Sequence, residues 1–189
     1  MGQEKEIIML NTSVTLHPSA DILALIQKPE YAVTRCWVYG SSIELDAQSE
    51  KLIEILSGFL SRWRADGLPI SGKWNVLHKR FLVVLKDPDS TPISGCGMDS
   101  MVKDIRNVEI ALQTQLLDSS RIFYQTATGS VNCVNRPEFK QKVQAGEITL
   151  ETLVYNPIIE TLQQLSDGSF EKPLKDSWHL QLFERALAK

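Results

Sequence analysis

From Val33 to Thr126 the apolar residues of this chain change period repeatedly, and that succession constrains the fold more than any other feature. "VTRCWVY", 33 to 39, is β-branched and aromatic and runs into "GSS", which predicts a strand. Leu52, Leu56, Phe59 and Trp63, flanked by Ile53 and Leu60, recur at helical spacing between Asp46 and Ala65, and Gly67 is a natural stop. "GKWNVLH" and "RFLVVLKD" follow with almost nothing between them, predicting a hairpin. "DPDSTPISGCG" is a loop by composition. Met98, Met101, Val102, Ile105, Val108, Leu112 and Leu116 then trace one face of a second helix, and "RIFYQT" is a further strand. Strand, helix, strand, strand, helix, strand is the split βαβ order. It predicts an α+β, ferredoxin-like domain over 31–127, an antiparallel sheet with both helices on one face.

Two flanking regions read differently. Residues 1–30 form an N-terminal extension in which "EIIML" suggests a short strand and "SADILALIQKP" a short helix capped by Ser19 and stopped before Pro29. Residues 128–189 predict a small α+β module. There "ATGS" is a turn, "VNCV" a short strand, and "NRPEFKQKVQAG" a helix with Pro137 near its start and Gly146 past its end. "TLVY" is strand-like, "NPIIETLQQLSDGSFEKP" mixes helix and loop signals, and "DSWHLQLFERALAK" is amphipathic.

With 189 residues, 43% of them hydrophobic, the chain has apolar material for one large domain or two small ones. The formal charge is -3 and no Lys/Arg-rich run of five or more occurs, so neither nucleic acid nor an anionic membrane is expected as a partner. The N-terminal apolar run is short and acidic-flanked, unlike a signal peptide, and no stretch is long enough to span a bilayer. Cys36, Cys96 and Cys133 are odd in number and widely spaced, which argues against a disulfide framework or a CxxC zinc site. Reduced thiols in a cytoplasmic protein are the expectation, and self-association is left open.

"GLPISGKW", 67 to 74, has the Gly, four residues and Gly-Lys of a phosphate-binding loop. Such a loop must follow a strand and open a helix, so that backbone N–H groups and the helix end meet the phosphates. Here it follows a predicted helix and enters a predicted strand, and Trp74 stands where Ser or Thr would bind magnesium. The stretch therefore reads as a helix-to-strand connection bent at Gly67 and Gly72, and no nucleotide or other cofactor is expected.

"SGCGMDS", 94 to 100, together with Trp63, Gly67, Phe81 and "TLVYN" at 152 to 156, resembles a bacterial family of short proteins with a Ser-Gly-Cys-x-x-Asp-Ser motif, commonly labelled ABC-transporter ATPases. The match departs at Asp66, Gly97 and Met98, and the missing P-loop means the ATPase label does not carry over. "RIFYQTATGSVNCVNRPEFKQKVQAGEITLETLVY", followed later by Trp178, resembles the layout of GYF-type domains, although the Gly-Tyr-Phe residues themselves are absent. That resemblance implies a small module for holding peptides.

Cys96 is the sharpest chemical candidate. In a Gly-rich loop at a helix start, N–H groups and the helix dipole favour a thiolate. The bland alternative is packing, with the glycines admitting close contact. Ser94, Gly95, Cys96, Asp99 and Ser100 make up the candidate ligand-binding loop, and Asp99 and Ser100 also read as caps of the first helical turn. Arg62, Arg64 and Lys73 are expected near that helix start, where an anion could sit. His78 belongs at the opposite end of the sheet, which argues against a Cys96–His78 dyad, and His17 and His179 lie outside the first domain. No histidine has metal-ligand spacing, and "DPD" at 87 to 89 reads as a turn. Trp37, Trp63, Trp74 and Trp178 read as core or interface anchors. On balance the sequence predicts a non-enzymatic protein-binding or adaptor protein. The alternative is a small enzyme or small-ligand protein built on Ser94 to Ser100.

Overall fold

The computed structural model describes residues 22–187, so "EIIML", Ser19 and His17 lie outside the described residues. A 3-10 turn at Ala24–Gln27 ends before Pro29, and Pro29 then opens a short helix α1, Pro29–Ala32, where its missing N–H costs nothing. Strand β1 is Cys36–Gly40 and helix α2 is Glu50–Arg62. Two short strands, β2 at Arg64–Ala65 and β3 at Leu68–Pro69, form a small hairpin. Its two-residue turn has Asp66 at φ 51° and Gly67 at φ 82°, the positive angles a type I′ turn requires. The predicted hairpin follows as β4, Gly72–Leu77, and β5, Phe81–Lys86. Helix α3 spans Gly95–Leu112.

The first sheet has the order β1-β5-β4, all antiparallel. Those three strands stand in the order the split βαβ pattern predicts, and α2 and α3 pack on one face. The fourth predicted strand does not join them. β6, Ile122–Gln125, pairs with β7, Val131–Val134, and with β8, Leu153–Tyr155. β8 in turn pairs with β9, Glu171–Pro173, giving a second sheet of order β7-β6-β8-β9. The local physics explains the difference: the Thr126-to-Ser130 turn closes a hairpin that commits β6 to β7. The free edge of β1 is meanwhile taken by residues 160–162. Cys36 N donates to Glu160 O at 3.0 Å, and Leu162 N donates to Thr34 O at 3.0 Å. The second sheet thus begins at Ile122, ahead of the boundary expected at 128.

Alternation along the strands builds four layers. Trp37, Leu82 and Val84 point to α2 and α3, where Leu52, Leu56, Phe59, Met101, Ile105 and Val108 complete one core. Cys36, Val38, Phe81, Val83 and Leu85 point the other way, onto Phe123, Val131 and Tyr155 of the second sheet. The far face of that sheet, with Ile122, Tyr124, Val134 and Val154, is closed by Phe139 and Val143 of α4, Arg136–Gln144, and by Phe183 of α5, His179–Leu187. α4 carries a full capping box, with Asn135 Oδ1 accepting from Glu138 N and a Glu138 carboxylate oxygen accepting from Asn135 N. The chain is therefore mixed α+β, two antiparallel sheets packed face to face with helices on both outer sides. Among the described residues no helix is long and apolar enough to cross a membrane.

The glycines, the lysine and the tryptophan of the P-loop-like stretch each have a structural role here. Gly67 supplies the hairpin turn. A Cβ on Gly72 would lie 2.5 Å from Leu85 O and 2.8 Å from the Trp63 ring, so only glycine fits at the start of β4. Lys73 is ion-paired with Asp87, and Trp74 is buried in the helix-side core.

Candidate functional sites

Two places carry candidate chemistry, at different parts of the first sheet. The first is the start of α3. The β2–β3 hairpin and the 87–94 loop do come together at one end of the sheet: Asp87 N donates to Ser71 O at 3.0 Å, Ser71 N to Ser90 Oγ at 2.7 Å, and Thr91 Oγ1 to Pro69 O at 2.8 Å. The Lys86 ammonium holds the "DPDS" turn by donating to Asp87 O at 2.7 Å and Ser90 O at 2.8 Å. Burial pulls its pKa down, offset in part by Asp87 and Asp89.

Cys96 is exposed at this end. Its Sγ lies 3.1 Å from Ser94 Oγ, accepts from Asp66 N at 3.5 Å, and stands 3.7 Å from Asp66 Oδ1. Ser94 is the N-cap residue of α3, but its hydroxyl engages Cys96 and caps no helical N–H. Asp99 and Ser100 are the fifth and sixth residues of α3, a turn too late to cap it, so the capping role expected of them is not realised. Gly97 has a packing reason: a Cβ there would come within 3.1 Å of Arg64 O and Ile70, and its own carbonyl accepts the Trp63 indole N–H at 2.9 Å. Gly95 faces open space. The candidate loop thus divides into an exposed edge, Ser94 to Cys96, and a packed one.

Of the basic rim expected beside it, Arg64 and Lys73 line one cavity of about 710 Å³ together with Asp87 and Asp89, and Arg62 does not join them. Arg62 bonds Asp104 at 3.3 Å and faces a different cavity, between α2 and α3. Arg64 spends Nη1 on Ser61 O and Trp63 O. Lys73 pairs with Asp87 and donates to Tyr31 Oη at 3.1 Å. Burial lowers the Lys73 pKa, but the hydrogen bonds and charges of Asp87 and Tyr31 outweigh it and the net shift is upward. The other two thiols are held protonated: burial pushes Cys36 up to about 12 and raises Cys133.

The second place is a groove where the two sheets meet. The end of β1, Val38 to Gly40, forms one wall. The connector after α3 forms another, fixed by Glu109 Oε1, which accepts Leu116 N at 2.6 Å and Leu117 N at 2.9 Å. Asn156 shapes a third. Its N donates to Phe170 O at 2.7 Å and its Oδ1 accepts Ile158 N at 3.2 Å, a local turn that leaves Ile158 74% exposed. Trp178 and His179 close the groove, their rings stacked with centroids 3.9 Å apart. The cavity measures about 210 Å³.

Trp178 is 46% exposed, so it is no core anchor, whereas Trp37, Trp63 and Trp74 are buried as expected. His179 is only 2% exposed. Burial, then the nearby Arg136 charge, bring its pKa down to about 4. His78 sits at the opposite end of β4 from Gly72, against the Tyr155 ring and 3.8 Å from Glu171, away from Cys96. The groove draws on segments near 38, 117, 157 and 178, which no local motif unites. The clue in the sequence was Trp178 beside a histidine, with Leu182 four residues on.

No family model matches the chain, and neither a curated protein nor a solved structure matches it.

Proposed function

We propose that this chain is a non-enzymatic, cytoplasmic protein-binding or adaptor protein that takes a segment of a partner into the groove between β1, the 116–121 connector and Trp178. The observation that carries this reading is the exposure of Ile158 and Trp178, both of which line this cavity. Large apolar side chains gathered around a concavity lose free energy in water and regain it when a partner covers them. The layout shared with GYF-type domains supports a peptide-holding role for the same module. The ferredoxin-like part of this reading extends to three strands, β1-β5-β4, with two helices on one face. Neither nucleic acid nor membrane belongs to this reading. Photo-crosslinking tests it: benzoylphenylalanine at position 158 should give discrete adducts in producing cells that the same residue at exposed Ile110 on α3 does not. Identical adduct patterns at both positions would sink it.

A second reading is favoured by one observation, the exposed Cys96 thiol that meets both Ser94 Oγ and Asp66 N. In it the Ser94 to Ser100 loop binds a small ligand or anion with Cys96 as nucleophile, as kinship with the Ser-Gly-Cys-x-x-Asp-Ser family would suggest. Rapid iodoacetamide labelling of Cys96 alone, well below pH 8, would move this reading ahead. Labelling with the ordinary pH dependence of a free thiol would set it aside.

A further inference from the structure

We infer that the cavity of about 710 Å³ between the β2–β3 hairpin and the 87–91 loop binds a zwitterionic small molecule with an apolar body, of the amino-acid or short-peptide class: Arg64 takes its carboxylate and Asp89 its ammonium. This site is separate from the groove proposed above, and Cys96 does not line it.

Three observations carry it. The first is the balance of charge. The charged residues lining the cavity are Arg64, Lys73, Asp87 and Asp89. Lys73 and Asp87 form an ion pair in which Tyr31 Oη also takes part. Arg64 and Asp89 join no ion pair among the described residues, with each other or with any third group. One cation and one anion thus border the same concavity without neutralising each other. A ligand of single charge would meet one of them and leave the other uncompensated, whereas a zwitterion answers both.

The second is how these two groups are held. Arg64 Nη1 donates to Ser61 O at 3.2 Å and to Trp63 O at 2.9 Å, which anchors the guanidinium beside Ser61, itself a lining residue. Nε and Nη2 have no hydrogen-bond partner among the described residues, and together they form the edge that grips a carboxylate with two parallel hydrogen bonds. Asp89 stands in a turn built around the Lys86 ammonium, which donates to the carbonyls of Asp87, Pro88 and Ser90. Ser71 N donating to Ser90 Oγ and Thr91 Oγ1 donating to Pro69 O tie that turn to the hairpin segment, so the walls are formed before a ligand arrives.

The third is size and floor. A volume of about 710 Å³ lies within the range of small-molecule sites. Leu60, Ile70 and Trp74, buried in the helix-side core, line the cavity together with exposed Pro69. The body that carries the two charges is therefore apolar.

The test is an amide chemical-shift titration by NMR on the full chain with L-phenylalanine, the dipeptide phenylalanyl-leucine, and two relatives of phenylalanine that keep one charge each, phenethylamine and hydrocinnamate. Shifts are expected at Ser71, Gly72, Ser90 and Thr91, with a zwitterion bound about tenfold more tightly than either single-charge relative. The tighter of the amino acid and the dipeptide names the source. Arg64→Gln should erase the advantage over phenethylamine, and Asp89→Asn the advantage over hydrocinnamate. Arg62→Gln, in the other cavity, should change neither. The wild-type series decides by itself should a variant fail to fold. No shift with either zwitterion at millimolar concentration would overturn the inference and leave Arg64 and Asp89 as solvated charges. Equal binding of phenylalanine and both relatives, or an advantage that survives both variants, would overturn it as well.

Discussion

Leu82 and Val84 on one face of β5, and Phe81, Val83 and Leu85 on the other, are all fully buried, yet the two faces are closed from different parts of the chain. The helix-covered face is completed by α2 and α3, which directly follow β1 and β5. The sheet-covered face takes Ile22 from before β1 and otherwise waits for residues 122 to 170, so its contacts span far more sequence and cost more loop-closure entropy. Its character differs too. Phe81 meets Phe123 at 5.0 Å, Tyr155 at 5.3 Å and Phe170 at 5.0 Å between ring centroids, an aromatic cluster where the helix face is mostly aliphatic around Trp37, Trp63 and Trp74. The groove proposed to bind peptide lies at the rim of this long-range face, where the closing segments are least continuous.

The sharpest way to break that comparison is Phe81→Ala. Removing a fully buried aromatic ring from the inter-sheet cluster should cost about 3–5 kcal/mol in urea unfolding. Hydrogen exchange should show protection lost first in β6 to β9, with α2 and α3 amides retained longer. Equal loss across both regions would mean that the two faces fold as one cooperative unit and that the distinction is only geometric.

Acid provides the next largest effect, through His179, a buried histidine that opens α5. The folded pKa of about 4 lies below the unfolded value near 6.5. Between those values the unfolded chain binds more protons, so stability falls as pH drops through that window. The loss from this group approaches about 3 kcal/mol by pH 4, at 1.36 kcal/mol per unit. His179→Phe should flatten the pH dependence of the urea midpoint between pH 6.5 and 4. An unchanged slope would show that the imidazole is not buried as described.

Gly40 locates the contact between the two sheets at the end of β1. A Cβ there would lie 2.3 Å from the Phe123 ring, which cannot retreat without disturbing the inter-sheet cluster. Gly40→Ala should therefore destabilise by about 1–3 kcal/mol and raise amide exchange in β6 more than in α2. An effect below about 0.5 kcal/mol would mean that Phe123 has room to turn aside.

How far these features were legible in the sequence follows the same divide. α2, α3 and the β4–β5 hairpin were readable because helical spacing and a near-continuous apolar run are local signals. Phe81 to Leu85 carries a further constraint. An uninterrupted apolar strand needs cover on both faces, which a sheet with helices on one face alone cannot provide. The same holds at Thr126 to Ser130, where a turn between two strands favours β6 pairing with β7 over the predicted fourth place beside β1. Asp66-Gly67 is a hairpin signal as well as a helix stop and a bend, and only the last two follow from helical spacing. At the candidate sites, Cys96 was placed at a helix start, but its partner Asp66 depends on that missed turn. The groove was beyond local reading, since Gly40, Leu117, Ile158 and Trp178 meet only once both sheets are packed.

The smallest effect tests how the first sheet reaches across to the second. At the tip of the β4–β5 hairpin His78 and Lys79 both adopt positive φ, 49° and 54°, which L residues with side chains disfavour by roughly 1–2 kcal/mol each. His78 has a compensating role there, packing on Tyr155 and Phe170 and meeting Glu171. Lys79 contributes its backbone carbonyl, which accepts Leu45 N at 2.7 Å and survives any side-chain change. Lys79→Gly relieves the strain at that residue and loses up to about 1 kcal/mol to the freer unfolded chain, so a net gain of about 0.5–1 kcal/mol is expected. The His78 ring contacts should persist, visible as unchanged imidazole shifts. A loss of stability with moved His78 resonances would instead show that the side chain at 79 helps aim the tip at the second sheet, and that the inter-sheet contact depends on the strained hairpin itself.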